Sequence, residues 1–291
     1  MVGMGILLWV GMANVMQGED ATSLMVQARQ AYISKEYAKC AELYGAAVKA
    51  GLLGSDTPYN AACCYALSGD ATEAFGWLTK AIQSGWRNVD HLKEDSDLAS
   101  LRGDERWPKI IERCEKAAKL FVETLKEPAL RDTLLQRMKK DQGIRMAPNP
   151  DMAEWRKIDA ENTAYMKTVI EKYGWPGKSM VGEDGALAAF LMVQHADRDP
   201  EFQKKCLPLL EEAVQVGEAI AGNLAYLTDR VLIAEGNPQR YGSQFHLVDG
   251  KLVVRPREDP ENVDAQRKAV GLGPLAEYAK EIEGMAKERG E

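Results

Sequence analysis

Residues 59–85, YNAACCYALSGDATEAFGWLTKAIQSG, decide how the amino-terminal part of this chain is read. Ala62 and Tyr65 lie three apart, on one face of a helix; Gly69-Asp70 interrupts the pattern; Ala74, Leu78 and Ala81 then stripe a second helix that Gly85 ends. Small residues where two helices cross, with large ones filling the gaps, predict an antiparallel helical hairpin. The preceding stretch repeats the pattern: Ala28, Ala31 and Tyr32, a turn at Lys35-Glu36, then Tyr37, Cys40, Tyr44 and Ala47, with Gly51 at the end. Cys40 falls in the crossing slot that Ala74 holds in the later unit and is read as core.

The two units resemble tetratricopeptide repeats, helix pairs of about 34 residues that bury their faces only against neighbours. The following segment, WRNVDHLKEDSDLASLRGDERWPKIIER (86–113), resembles the ending common in bacterial tetratricopeptide proteins, through Asp95, Asp97, Leu98, Leu101, Arg102, Asp104, Arg106 and Trp107. Its expected task is to cap the open apolar end of the last pair. Metal binding by Asp95 and Asp97 is the lesser alternative, and His91 is read as an exposed or capping residue. Two units and a cap form a short surface, suited to a protein or peptide partner or to presenting the domain that follows.

Met1 to Met16 carries no charged side chain and is followed by polar Gln17-Gly18-Glu19-Asp20. The run is short for a membrane span but suits a signal-peptide core, with a small-x-small pattern at Gly11-Met12-Ala13. No Lys or Arg precedes it, so a helix buried against the first repeat, which would leave the protein cytoplasmic, and an uncleaved anchor stand as alternatives. The leading expectation is export to the periplasm or beyond. No cysteine follows as a lipoprotein would require, and no later stretch is long and apolar enough for a stable span.

With 291 residues, 45% hydrophobic and 28% charged, the chain has room for two modest domains. Its net charge of -7 gives no basic footprint for nucleic acid. The five cysteines match no zinc spacing, and their odd number excludes complete internal pairing; most are read as small buried hydrophobes. The expected layout is an apolar leader at 1–18, repeats with a cap at 19–113, a connecting helix at 114–127, and a helical domain with one β-hairpin at 128–291. The fold class is mainly α.

In that second domain Pro128 opens a helix with Leu130, Leu134, Leu135 and Met138 on one face. Asp151 can cap the next helix, about Met152 to Tyr173, and Gly174 ends it. An apolar helix follows from about Gly185 to Ala196, then helices from Asp199-Pro200 to about Gly217 and from Asn223 to Glu235. FHLVDGKLVV, with Asp249-Gly250 as a type I′ turn, predicts the hairpin, and two helices complete the chain.

From about Leu130 to Met285 the chain resembles an uncharacterised family of bacterial domains. The motifs that carry this are Gly174-Trp175-Pro176, Val181 to Gly185, Gln194 to Asp197, Leu227 to Arg230, and Gln239 to Gln244, with Ser243 where the family is expected to have Thr. That family has no established activity, so the resemblance leaves function open.

Three clusters stand out from packing. Glu183, Asp184, Gln194, His195 and Asp197 flank one helix, where capping accounts for all five and ligand contact is the alternative. Thr228, Asp229 and Arg230 interrupt an apolar helix, which suggests a buried ion pair for Asp229. Gln239, Arg240, Tyr241, Gly242, Ser243 and Gln244 form a donor-rich loop, read either as a hydrogen-bonded connector or as a contact for a small-molecule ligand. The leading function is an interaction or adaptor protein with a ligand- or partner-recognising second domain. The alternative is a hydrolase or group transferase with His195 as base, Asp229 or Glu183 as its orienting carboxylate, and Arg240, Tyr241 and Gln244 as clamp. A metal at His195 and His246 is less favoured; no metal and no cofactor are expected.

Overall fold

Hairpin formation begins with α1 (Glu19–Ile33) and α2 (Tyr37–Lys49), and repeats with α3 (Asp56–Ser68) and α4 (Ala71–Gln83). The computed structural model describes residues 19–52 and 54–289; the expected leader, 1–18, lies outside them. The chain divides into two compact units, one through Thr124 and one from Leu125 onward. It is mainly α-helical with one two-stranded antiparallel sheet, as the periodicity predicts.

In the first unit Asp70 caps α4, its carboxylate accepting the Glu73 N–H at 3.0 Å. Ala28, Ala31, Ala41, Tyr44 and Ala61 are buried together between the hairpins. Ala62, Ala74, Leu78 and Ala81 form a second core with Leu92, Leu98 and Leu101. Those leucines belong to α5 (Val89–Glu94) and a 3-10 turn (Ser96–Leu101), which seal the last pair before α6 (Trp107–Val122). The helix expected at 114–127 is therefore the second half of α6 and stops at Val122, because Trp107-Pro108 already starts that helix. Cys40 and Cys64 are buried, with Cα atoms 5.9 Å apart, and form a disulfide joining α2 to α3. Cys63, Cys114 and Cys206 are free and buried.

The second unit comprises α7 (Pro128–Arg145), α8 (Met152–Tyr173), α9 (Lys178–Gln194), α10 (Pro200–Gln215) and α11 (Ala221–Ala234). After these come β1 (Phe245–Val248), β2 (Lys251–Val254), α12 (Val263–Ala269) and α13 (Leu275–Arg289). Asp151 caps α8 by accepting the Ala153 and Glu154 amides. Asp249 and Gly250 both take positive φ, as a type I′ turn requires, and the register pairs Phe245 with Val254 and Val248 with Lys251. The apolar helix starts earlier than its composition indicates, at Lys178, with a break at Gly182 (φ 76°, ψ 168°) that favours glycine. Beyond the break α9 is the core of the unit: Ala188, Ala189, Met192 and Val193 pack among Leu134, Met166, Cys206, Leu210 and Leu227. Among the described residues no helix is long and apolar enough to cross a membrane.

The disulfide closes a sequence separation of 24 residues. Chain-entropy arguments give about 3 kcal/mol for a loop of that size. Replacing both cysteines by alanine should lower the stability of the first unit by roughly that amount in denaturant unfolding of the full chain. No change in the transition would show that the link does not form in solution.

Candidate functional site

The sequence-predicted histidine lies at the carboxyl end of α9, where His195 caps the helix. Its Nδ1 meets both carboxylate oxygens of Asp141, at 3.1 and 3.0 Å. Asp141 is fully buried and His195 nearly so. The carboxylate beside this histidine is thus Asp141 of α7, and neither Asp229 nor Glu183. Arg145, one turn on, donates to Asp141 at 3.1 Å and pairs with Asp159 of α8. Its guanidinium lies over the Trp155 ring, 4.7 Å from the centroid. One turn earlier Arg137 lies over Tyr165 and donates to the buried Asn162 at 3.1 Å. Arg137, Asp141 and Arg145 recur every four residues, so they share the face of α7 that carries Leu130 and Leu134.

Burial opposes ionisation of Asp141, but the hydrogen bond and charge of His195, with Arg145, outweigh it and hold the carboxyl below its ordinary value. Asp159 moves the other way: burial, reinforced by the charge of Asp141, raises it against the pull of Arg145. With Nδ1 engaged, Nε2 is the ring nitrogen not held by the carboxylate.

The remaining predicted residues are placed as follows. Glu183 pairs with Lys178 at 3.2 Å, and Asp184 forms a two-point pair with Arg131 at 2.9 and 2.5 Å. Both stand directly after the Gly182 break, at the start of the helical run that continues to Gln194, as expected, and Asp184 also accepts the Gly185 N–H at 2.8 Å. The Gln194 carbonyl accepts from the buried Gln203 amide at 2.9 Å. Asp197 pairs with Arg230 at 2.5 Å, which ties α11 to the turn that follows His195; the buried Arg230 Nε has no hydrogen-bond partner.

Asp229, next to Arg230, faces the donor-rich loop. Its two oxygens accept the backbone N–H groups of Arg240, Tyr241 and Ser243 at 2.7–2.9 Å. The expected buried ion pair is replaced by three amides. Gln239 is fully buried, donates to the carbonyls of Gln244 and Arg255, and accepts the Gln244 N–H. Arg267 donates to the Tyr241 carbonyl at 2.9 Å, and Gln244 Nε2 to the Ser243 hydroxyl. A Cβ at Gly242 (φ 70°) would stand 3.0 Å from Leu275, so the close approach this glycine permits is made by α13. The loop's inward donors and acceptors are thus met by the chain, while Arg240 reaches outward to Glu258 at 3.1 Å.

In the first unit a further polar cluster assembles where the cap crosses the first helices of the two hairpins. Tyr32 of α1 donates to Asp97, and Tyr59 of α3 to Asp95, both at 2.8 Å. Tyr59 stacks on Trp86 with centroids 3.7 Å apart. The Cys63 thiol lies 3.6 Å and His91 Nε2 3.4 Å from the same Asp95 oxygen. Burial, then the charges of Asp95 and Asp97, push the Cys63 thiol well above its ordinary value.

The second unit is a helical domain organised by two buried carboxylates, one turned to an imidazole and one to a loop. The chain belongs to DUF6624, a family of unknown function whose model matches residues 121–287. No curated protein and no solved structure matches it.

Because the folded value of Asp141 lies below its unfolded value, its stabilising contribution is complete above about pH 4 and is lost as pH falls through the folded value. Asp159, being raised, contributes with the opposite sign. Asp141→Asn should therefore flatten the decline in stability of the second unit below about pH 4, measured as urea midpoints across the acid range. An acid decline identical to wild type would contradict the role given to this carboxylate.

Proposed function

We propose that the family domain is the chemically active part of the chain and that His195 is its proton-transfer residue, in a hydrolytic reaction or one transferring an acyl or amino group. The observation that supports this is the seating of His195 Nδ1 on the buried Asp141 carboxylate. An imidazole so held keeps Nδ1–H as donor and presents the Nε2 lone pair, which can take a proton from a water or hydroxyl nucleophile. The imidazolium that forms is stabilised by Asp141, whose charge Arg145 and the protein around it keep in place. Nε2–H can then return the proton to the leaving group. Arg230, paired with Asp197 two residues beyond His195, and the outward Arg240, which would exchange Glu258 for a ligand, are the cations assigned to holding a polar substrate.

His195→Gln should lower turnover at least about a hundredfold on any ester, amide or phosphoester that the wild-type chain hydrolyses, with both chains assayed well below their melting midpoints so that the loss of the Asp141 contact does not act through unfolding. The free-enzyme tautomer is an independent check: nitrogen NMR should find neutral His195 protonated at Nδ1. A neutral ring protonated at Nε2, or equal turnover by the variant, removes the proposal.

A second reading makes the chain an interaction protein whose helical hairpins, of tetratricopeptide type, meet a protein partner. Val26 and Ile33, two turns apart on α1 and largely exposed, favour it. The Cys40–Cys64 link suits an oxidising compartment and so supports export. Under this reading Val26→Glu with Ile33→Glu should abolish recovery of a partner crosslinked to the wild-type chain; an unchanged set of crosslinked proteins would count it out.

A further inference from the structure

The cap cluster contains more than hydrogen-bonded tyrosines. Cys63 Sγ and one oxygen each from Asp95 and Asp97 lie within 4.8 Å of one another, and His91 Nε2 is 3.4 Å from Asp95. We propose that Cys63, Asp95 and Asp97 form a zinc site in the first unit, with His91 as the fourth donor, and that the metal fastens the cap to α3.

Three observations converge on a cation. The two spacings to Asp95 suit tetrahedral edges: zinc bonds of about 2.3 Å to sulfur and about 2.0 Å to oxygen or nitrogen set ligand edges of about 3.5 Å for S···O and about 3.3 Å for N···O. The corresponding distances are 3.6 Å from Cys63 to Asp95 and 3.4 Å from His91 to Asp95. The charge is also unbalanced. Among the hydrogen bonds and ion pairs of the described residues, no lysine or arginine reaches either carboxylate; Arg102, the nearest by contact, bonds to the Asp95 backbone carbonyl instead. Finally, the donors mix thiol, imidazole and carboxylate, a set that selects zinc over the oxygen-seeking magnesium and calcium.

Cys63, Asp95 and Asp97 need little rearrangement, whereas His91 stands against Asp95 alone and has to swing inward. Zinc takes the position of the thiol proton between Cys63 Sγ and Asp95 Oδ2: the S–H bond breaks, its proton leaves to solvent, and an S–Zn bond forms. Tyr32, already bonded to Asp97, becomes an outer partner that orients a ligating carboxylate. His91 joins by side-chain rotation from the middle of α5, where it already stands against Asp95.

The test uses the full chain, stripped with a chelator, with its disulfide intact. Cobalt(II), a spectroscopic stand-in for zinc, should bind with one equivalent, show a near-ultraviolet thiolate-to-metal band, and be displaced by zinc. Cys63→Ser should lose that band, and Asp97→Asn should weaken binding at least about tenfold, while both keep the wild-type circular dichroism. His91→Gln should weaken it as well. A natively folded wild-type chain that takes up neither metal overturns the proposal. So does cobalt binding with no thiolate band, or binding that Asp97→Asn leaves unchanged.

Discussion

A carboxylate removed from water inside a helical bundle is tolerated only where its charge is met on more than one side, and Asp141 shows how the second unit does this. His195 closes one side and Arg145 the other, while Gln142 adds a hydrogen bond at 2.7 Å. Each partner comes from a different place in the fold: the end of α9, the next turn of α7, and, through Arg145, Asp159 on α8. The relative placement of three helices is therefore written into one ionised group. The apolar stripe of α7 supplies the adhesion up to Met138, and beyond it the same face carries charge.

Asp229 applies the same principle to a different object. Its partners are three backbone amides in a loop without regular hydrogen bonding, and such groups must find acceptors once buried. Gln239 completes the work from inside the loop, linking it to the strand end at Arg255. Arg230 follows Asp229 on α11 and reaches Asp197, two residues beyond His195. The histidine and the loop are consequently joined by one turn of helix and one ion pair, though the loop contributes no contact to the imidazole.

Much of this architecture can be read from local pattern. Helix periodicity marks α1 to α4, Pro128 and Asp151 mark two helix starts, and Asp249-Gly250 marks the hairpin, because each signal acts within a few residues. Long-range pairing carries no such signature. Asp141 sits in Lys139-Lys140-Asp141-Gln142-Gly143, which reads as solvated surface, and its partner is 54 residues away. A signal was nonetheless present: Leu130, Leu134, Arg137, Asp141 and Arg145 continue a single helical face, so charges at its end had to be buried or paired. The Cys40–Cys64 pairing is hidden for a similar reason, since both positions look like small core residues and only the packing of α2 on α3 brings them together. Donor density in residues 239–244 marks the loop as more than a connector, but composition cannot tell whether those donors serve a ligand or the chain itself.

The contrast between the two buried carboxylates bears on where chemistry is to be sought. Backbone amides cannot be deleted by substitution, so a loop that buries them needs an acceptor such as Asp229 whatever the protein does. An imidazole imposes no such need. A buried ion pair is commonly matched or exceeded in stability by well-packed apolar residues of similar volume, so packing alone gives little reason to keep His195, Asp141, Arg145 and Asp159 in one layer. The apolar neighbours Leu134, Met166 and Val193 show that α7, α8 and α9 can pack without charge. Beyond setting the placement of the three helices, the charged layer adds an imidazole of fixed orientation with an anion behind it, a property useful to proton transfer. That asymmetry is why the weight of the functional reading falls on His195 and not on the donor-rich loop.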